Sequence, residues 1–411
     1  MSSLHHQNHL SDDLYILLDF SCGRFYTHHS SYLKDYYDFL SLRQKTVKVW
    51  VNTSADQKVL DLFGDNVSPI LRSNFYSHTR KDRLILSLID SMVNWIYKLR
   101  IPKMFRNWLS SYYLRLAVKE LKVHLKTAPR VNIVIPTLDG LGLHFVLKVL
   151  KLYPSRVECI SLRITGAERR GIFGFVNSSE IFKSICEKFP DKLHLGFEVK
   201  RYETKLVEDG ISSKNIFWAP MPHIFRRPKT YLDKELMHES IILGFLGSAR
   251  PNKGFDDIPK ILDSLKANNI IFTALIQLPK FEWPEFRQTY NKLQKNHLNV
   301  VKFINSSISK ENLDRKISSV DLIVLPYRFH NYQLAGSGIL FLAADYKVPV
   351  ASTNNLAFCW DIERFKIGFT FEDESDFSFK LKYFSKSSLQ SNFEHYNDSR
   401  NVANLKFLRI A

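Results

Sequence analysis

Short apolar runs recur along the chain, each closed by a polar turn and followed by apolar positions at helical spacing. In the first half they lie at 14–20 (LYILLDF), 47–52 (VKVWVN), 131–136 (VNIVIP), 157–163 (VECISLR), 193–199 and 215–220. In the second half they lie at 241–246, 270–278, 300–304, 321–326 (DLIVLP) and 348–352. Continuous apolar runs, rather than strict alternation, mark parallel strands covered on both faces. Between them come helical patterns, such as Phe255, Ile258, Ile261, Leu262 and Leu265, or residues 143–152, 309–318 and 337–344. Strand and helix alternate twice over, which predicts two doubly wound parallel sheets.

A polar stretch broken by Pro228, residues 223–233, separates the two series. The expected division is 1–225, then 235–385, with 386–411 as a helical tail. Residues 75–128 break the alternation of the first half and read as a helical insertion. The length of 411 residues, too great for one typical core, fits two domains. Apolar residues make up 45 %, which excludes a disordered or fibrous chain. No apolar run is long enough to span a membrane, and the polar start MSSLHHQNHLSDD lacks a signal-peptide core. The four cysteines, Cys22, Cys159, Cys186 and Cys359, form no CxxC pair and read as reduced, buried thiols of a cytoplasmic protein.

Charge changes the picture most. Lys and Arg exceed Asp and Glu by 17, which calls for an anionic partner. Residues 80–130 hold twelve basic residues against three acids, interleaved with Trp95, Tyr97, Phe105, Trp108, Tyr112 and Tyr113. Basic helices with aromatics suit the headgroup layer of an anionic membrane surface, where the protein would sit peripherally. A helical hairpin with a solvated basic face is the equal alternative. Single-stranded nucleic acid ranks lower, since no RNA-binding motif accompanies the segment.

Candidate chemistry lies in loops after predicted strands. GFLGSARPNKG (244–254) contains Gly247, Ser248, Arg250 and Lys253 at a strand-to-helix turn, where free N–H groups and two cations suit phosphate. The loop YRFHNYQLAGSG (327–338) holds Tyr327 and ends in Gly336, Ser337 and Gly338 at another helix start. Two such helix N-termini can aim at one diphosphate. In the first half, Gly23, Arg24, His28 and His29 follow the first strand. Asp139, Gly140, Gly142 and His144 follow the 131–136 strand, with Asp139 as a helix cap. The GxG there lacks the third glycine of a dinucleotide fingerprint. Glu168, Arg169 and Arg170 follow a later strand.

The segments GSARPNKG and DLIVLPYRFHNYQLAGSGILFLAADYKVPVAST together resemble the carboxyl domain of GT-B glycosyltransferases, most of all the family 4 type of bacterial polysaccharide assembly. The likeness covers roughly 240–355. It implies an α/β GT-B fold, two Rossmann-like domains facing a cleft, and transfer of a sugar from a nucleotide-sugar donor to a glycan or lipid-linked acceptor. It also implies retention of anomeric configuration; the two cations and the N–H groups near Ser337 would remove the need for a metal, no DxD metal motif closes a strand, and no cofactor is expected. By position, Gly247, Arg250, Lys253, Ser337 and Gly338 would bind the donor, and Ser248, Tyr327 and Gly336 of the same two loops would join them. Arg250 and Lys253 would neutralise the leaving diphosphate. Gly23, Arg24, His28, Asp139 and Gly140 would bind the acceptor, and His144 would contact the reacting sugar. The family's two glutamates are missing: their places hold Leu334 and Leu342, and Asp345 is the only carboxylate of that helix. Their absence leaves open a non-catalytic protein that binds an anionic sugar or nucleotide.

Overall fold

The computed structural model describes residues 13–23, 28–72, 103–165, 167–169, 174–224, 240–247, 251–278, 284–304, 308–385 and 388–410. It divides into two units. Unit 1 comprises Met1–Glu198, Glu203–Pro222 and Ala403–Ala411, and unit 2 comprises Val199–Tyr202 and His223–Val402.

Unit 1 holds a seven-stranded parallel sheet among its described residues. The strands are β1 (Asp13–Leu18), β2 (Thr46–Asn52), β3 (Val67–Leu71), β4 (Arg130–Ile135), β5 (Val157–Ile164), β6 (Leu193–Phe197) and β7 (Ile216–Trp218). Their order is β3-β2-β1-β4-β5-β6-β7. Ile16 pairs with Lys48 on one side and Ile133 on the other. The apolar runs predict every strand except β3. That strand reads VSPIL, carries Pro69 and lies at the sheet edge, where a missing ladder donor is tolerated. The described helices are α1 (His28–Ser41), α2 (Gln57–Asp61), α3 (Lys103–Thr127), α4 (Gly140–Leu152), α5 (Ser178–Lys188) and α6 (Lys200–Glu208). The strand order reverses between β1 and β4. The crevice beyond their carboxyl ends is where such sheets hold ligands.

Unit 2 repeats the plan with, among its described residues, six parallel strands in the order β10-β9-β8-β11-β12-β13. They are β8 (Ile241–Phe245), β9 (Phe272–Gln277), β10 (Val301–Ile304), β11 (Leu322–Leu325), β12 (Val350–Thr353) and β13 (Gly368–Phe371). The helices are α7 (Ile258–Ala267), α8 (Pro284–His297), α9 (Lys310–Ile317), α10 (Gly338–Asp345), α11 (Cys359–Phe365), α12 (Glu374–Tyr383) and α13 (Leu389–Phe407). Leu243, Phe245, Leu262, Ile276, Leu322 and Val324 are central members of its buried core. The short β13 gives no clear apolar signal. Its Gly368 lies so close to β12 that a Cβ would come within 1.9 Å of the Val350 carbonyl oxygen.

The expected tail, 386–411, is not a separate appendage. Most of α13 belongs to unit 2, while the residues from Ala403 onward belong to unit 1. Phe407 is buried against Gly196, and its carbonyl accepts from the Ser161 hydroxyl at 2.8 Å. The Asn404 amide donates to the Pro220 carbonyl at 2.8 Å and accepts from the Tyr36 hydroxyl at 3.1 Å. Apolar and amide groups at the very end of the chain thus complete the first unit's core. All four cysteines are buried free thiols. Among the described residues no helix is long and apolar enough to cross a membrane.

Candidate functional site

In unit 2 the order reverses between β8 and β11, and the two glycine-bearing loops of the sequence follow these two strands. Gly247 closes β8 with φ +98°, a conformation suited to glycine, and its N–H donates to Gln277 Oε1 at 2.8 Å. Ser248 and Arg250 lie outside the described residues. The chain is described again in a short 3-10 turn, Pro251–Lys253, then passes through Gly254 at φ +65°. The Lys253 ammonium lies 5.3 Å from the centre of the Tyr327 ring and 3.2 Å from where a Gly247 Cβ would be. A pocket opens here, lined by Gly247, Lys253, Gln277, Pro326 and Tyr327 over an apolar floor that includes Phe245, Ile258 and Val324.

One expectation is corrected. Lys253 does not stand at a helix N-terminus, because a second 3-10 turn, Phe255–Asp257, separates it from α7. Asp256 and Asp257 occupy that turn and pair with the Arg328 guanidinium, Asp257 at 3.7 Å. Burial, then the neighbouring Asp256, raise the Asp257 carboxyl above its usual range, with Arg328 and Lys260 opposing. The start of α7 therefore already faces carboxylates of its own chain. Among the described residues of this loop, the cation that lines the pocket is the Lys253 side chain, which the 3-10 turn separates from the α7 N-terminus.

The second loop is fixed to the first. The Arg328 N–H donates to the Asn252 carbonyl at 3.0 Å. The Thr353 hydroxyl donates to the Tyr327 carbonyl at 2.6 Å. Tyr327, Tyr332 and Phe358 form an aromatic block, with ring centres 4.6 to 6.1 Å apart. Ser337 is buried at the N-cap of α10 and makes no side-chain capping bond, so the first N–H groups of α10 keep their capacity to meet an anion. Burial pushes the Tyr327 phenol up to about 12, and the neighbouring Ser337 hydroxyl offsets part of that rise. Gly336 is half-buried and Gly338 exposed, and neither has a positive φ. Smallness beside the α10 N-terminus, not backbone freedom, is what they contribute.

The missing acids are not recovered from α10. Leu334 is 36 % exposed and Leu342 half-buried. Asp345 closes the opposite end of the helix. Its Oδ1 accepts from Arg400 at 2.8 Å and lies 2.8 Å from His223 Nδ1. Arg400 is fully buried and also stands over the Phe341 ring. Asp345 is a structural counter-ion to a buried guanidinium.

At the corresponding crevice of unit 1 lies a buried polar cluster. Asp19 accepts from the Ser21 N–H at 2.8 Å, and its other oxygen lies 2.8 Å from His29 Nδ1. The Ser21 hydroxyl reaches Asp139 Oδ2 at 3.4 Å, and Asp139 Oδ1 caps α4 through the Gly142 N–H at 2.7 Å. Burial pushes the Asp139 carboxyl up to about 6, against the pull of the Gly142 bond. For His29 burial works the other way, but the Asp19 charge and hydrogen bond, with Asp139 beyond, hold the imidazole above its ordinary value.

The predicted residues are placed as follows. Gly23 and Gly140 are buried and Asp139 half-buried beside this cluster, while Arg24 and the His28 side chain lie outside the described residues. His144 lies one turn into α4, its ring 4.6 Å from that of Phe175. Arg163 is consumed internally: it pairs with Glu198 at 2.8 Å and donates to the Ala219 and Pro136 carbonyls. Sequence reasoning passed over Asp19 and Gln277. Each is an acid or amide at the end of an apolar strand run, a position that points it into the crevice. Among the described residues no group of histidines, cysteines and carboxylates has the arrangement to hold a metal ion.

No family profile and no curated protein matches the chain. Solved structures do match over nearly its whole length. HepE of Anabaena, in complex with UDP and glucose, superposes with a TM-score of 0.55 at 11 % identity, covering 96 % of this chain and 95 % of that one. The lipopolysaccharide outer core galactosyltransferase WaaB, in its apo form, gives 0.58 at 12 % identity, covering 97 % and 99 %. Sucrose-phosphate synthase of Thermosynechococcus elongatus gives 0.59 at 11 % identity, covering 97 % of both chains. The fold is that of the GT-B glycosyltransferases.

Proposed function

We propose that this protein is a glycosyltransferase that moves a hexose from a nucleoside diphosphate donor to a glycan or lipid-linked acceptor in surface polysaccharide synthesis. The observation that carries the reading is the joined pair of loops at the β8/β11 crevice. There Lys253 lies over Gly247 and Tyr327, beside the open start of α10. The bound UDP and glucose of HepE and the galactosyltransferase activity in WaaB's name support a uridine nucleotide and a hexose.

In the transfer, the bond between the sugar's C1 and the diphosphate oxygen breaks and its electron pair stays on the phosphate. The acceptor oxygen forms the new bond to C1, and its proton passes to the departing diphosphate oxygen. The protein's part is chiefly to position the partners and stabilise the developing charge. Lys253, joined by Arg250, neutralises the departing diphosphate, and the first N–H groups of α10 add to this. Glycine at 247 lets the phosphate approach the backbone. Ser21, His29 and Asp139 supply polar groups suited to an acceptor sugar. The resemblance of the two loops to family 4 enzymes favours retention, which the anomeric configuration of the product, read by NMR, tests directly.

Calorimetric titration with UDP and GDP is the test of the donor site. Arg250→Ala and Lys253→Ala are each expected to weaken binding roughly 10- to 100-fold, the scale of one lost charge-assisted hydrogen bond. If both variants bind like the wild type, the donor-site assignment fails. Leucine at 334 and 342, with Asp345 locked to Arg400, favours a second reading: a protein that binds a nucleoside diphosphate or anionic sugar without turnover. Tight binding with no transfer from any sugar nucleotide in a donor panel would select it.

A further inference from the structure

The helix α3 of unit 1 presents two contrasting faces. Leu114, Ala117, Leu121 and Leu125 are buried, and the helix packs on β3, β4 and α4. On the opposite side Trp108, Tyr112, Arg115, Lys119, Lys122 and Lys126 are all exposed. Their spacing of four, three, four, three and four residues puts them in one stripe along the helix. At 1.5 Å per residue the stripe is about 27 Å long. Its only acid neighbour on the helix, Glu120, is turned off the stripe toward His124, at 3.7 Å. Arg72 adds a further cation, its guanidinium 5.0 Å from the centre of the Tyr112 ring.

The order within the stripe is not random. The aromatics occupy one end, with Trp108 63 % and Tyr112 52 % exposed, and the four cations follow over the next three turns. A tryptophan and a tyrosine one turn apart form an amphipathic anchor suited to the headgroup layer. A run of lysines on the same line meets a negatively charged surface. A track for single-stranded nucleic acid would instead interleave aromatics with cations so that successive bases stack. We propose that this α3 face docks the protein on a bilayer bearing anionic phospholipid headgroups. The proposal rests on the surface of unit 1 alone and does not depend on the donor site.

The test is co-sedimentation of the full chain with vesicles of phosphatidylcholine alone and with vesicles containing a third phosphatidylglycerol. Binding is expected only to the anionic vesicles and is expected to weaken with added salt. Each change of Arg115, Lys119, Lys122 or Lys126 to Gln should lower partitioning about fivefold. The double variant Trp108→Ala/Tyr112→Ala should lower it further at constant charge. All six positions are exposed, so the melting temperature and UDP affinity should stay at wild-type values, which separates failure of docking from failure of the fold or the donor site. A control variant, Lys260→Gln/Lys292→Gln/Lys295→Gln in unit 2, removes charge elsewhere and should sediment normally. Absence of wild-type binding to anionic vesicles overturns the proposal. So does equal loss in the unit 2 control, or a preference for a single-stranded oligonucleotide over the vesicles.

Discussion

Gly254 faces the Pro326 carbonyl so closely that a Cβ on it would lie 1.8 Å from the oxygen. This approach joins the loop after β8 to the loop after β11, and so brings Lys253 to Tyr327. The Arg328 to Asn252 bond and the Arg328 pairing with Asp256 reinforce the same seam. The candidate donor site is built on the seam rather than on either loop alone.

Gly254→Ala is therefore expected to destabilise the protein by about 3 kcal/mol, from the clash and the positive φ together. It should also weaken UDP binding, because Lys253 moves with the seam. Gly336→Ala, at a position without a positive φ, is expected to cost less than about 1 kcal/mol. Urea denaturation of the two variants makes the comparison. Equal costs would remove the seam from the account.

Asp345 is predicted to matter for stability and not for donor binding. Asp345→Ala leaves the fully buried Arg400 without its carboxylate, which costs about 3 to 5 kcal/mol. UDP affinity of the folded variant, measured by calorimetry below its melting temperature, should stay within twofold. A large loss of affinity would mean that Asp345 does the work of the missing glutamates after all.

The Asp139 and His29 shifts predict a pH dependence with a definite sign. Both groups hold protons more tightly in the folded state than in the unfolded chain. Their contribution to stability is complete at low pH. It falls as pH rises from about 4 through about 6 for Asp139, and falls again from above 6.5 through the raised value of His29. The Asp139 step is worth up to about 3 kcal/mol. Asp139→Asn keeps an N-cap for α4 but carries no charge, so it should flatten the melting temperature between pH 4 and 6.5. His29→Gln should remove the upper step. Melts that rise with pH across this range in the wild type would contradict the assignment.

Much of the fold can be read in the apolar runs, because a parallel strand buried on both faces needs a continuous apolar segment whatever its neighbours are. Two of the four edge strands, β3 and β13, escaped that rule. β3 carries a proline and half-exposed positions, and β13 depends on a glycine whose reason, the Val350 carbonyl, lies in another strand. The site was half legible. Glycines, cations and small residues after strands announced themselves by type and place. Asp19 and Gln277 did not, since each is a single polar residue closing an apolar run.

The sequence by itself determined the two doubly wound sheets, the position of both glycine-bearing loops and the concentration of positive charge in 80–130. These follow from local periodicity and residue type, which the chain carries wherever it folds. Only the tertiary structure decided that Lys253 meets Tyr327 and not a helix start. It alone locked Asp345 to Arg400, gave the last residues to unit 1, and lined the cations of α3 along one exposed face. Each of these depends on which distant segments come into contact, and such contacts are set by packing across the sheets, which no single stretch of sequence encodes.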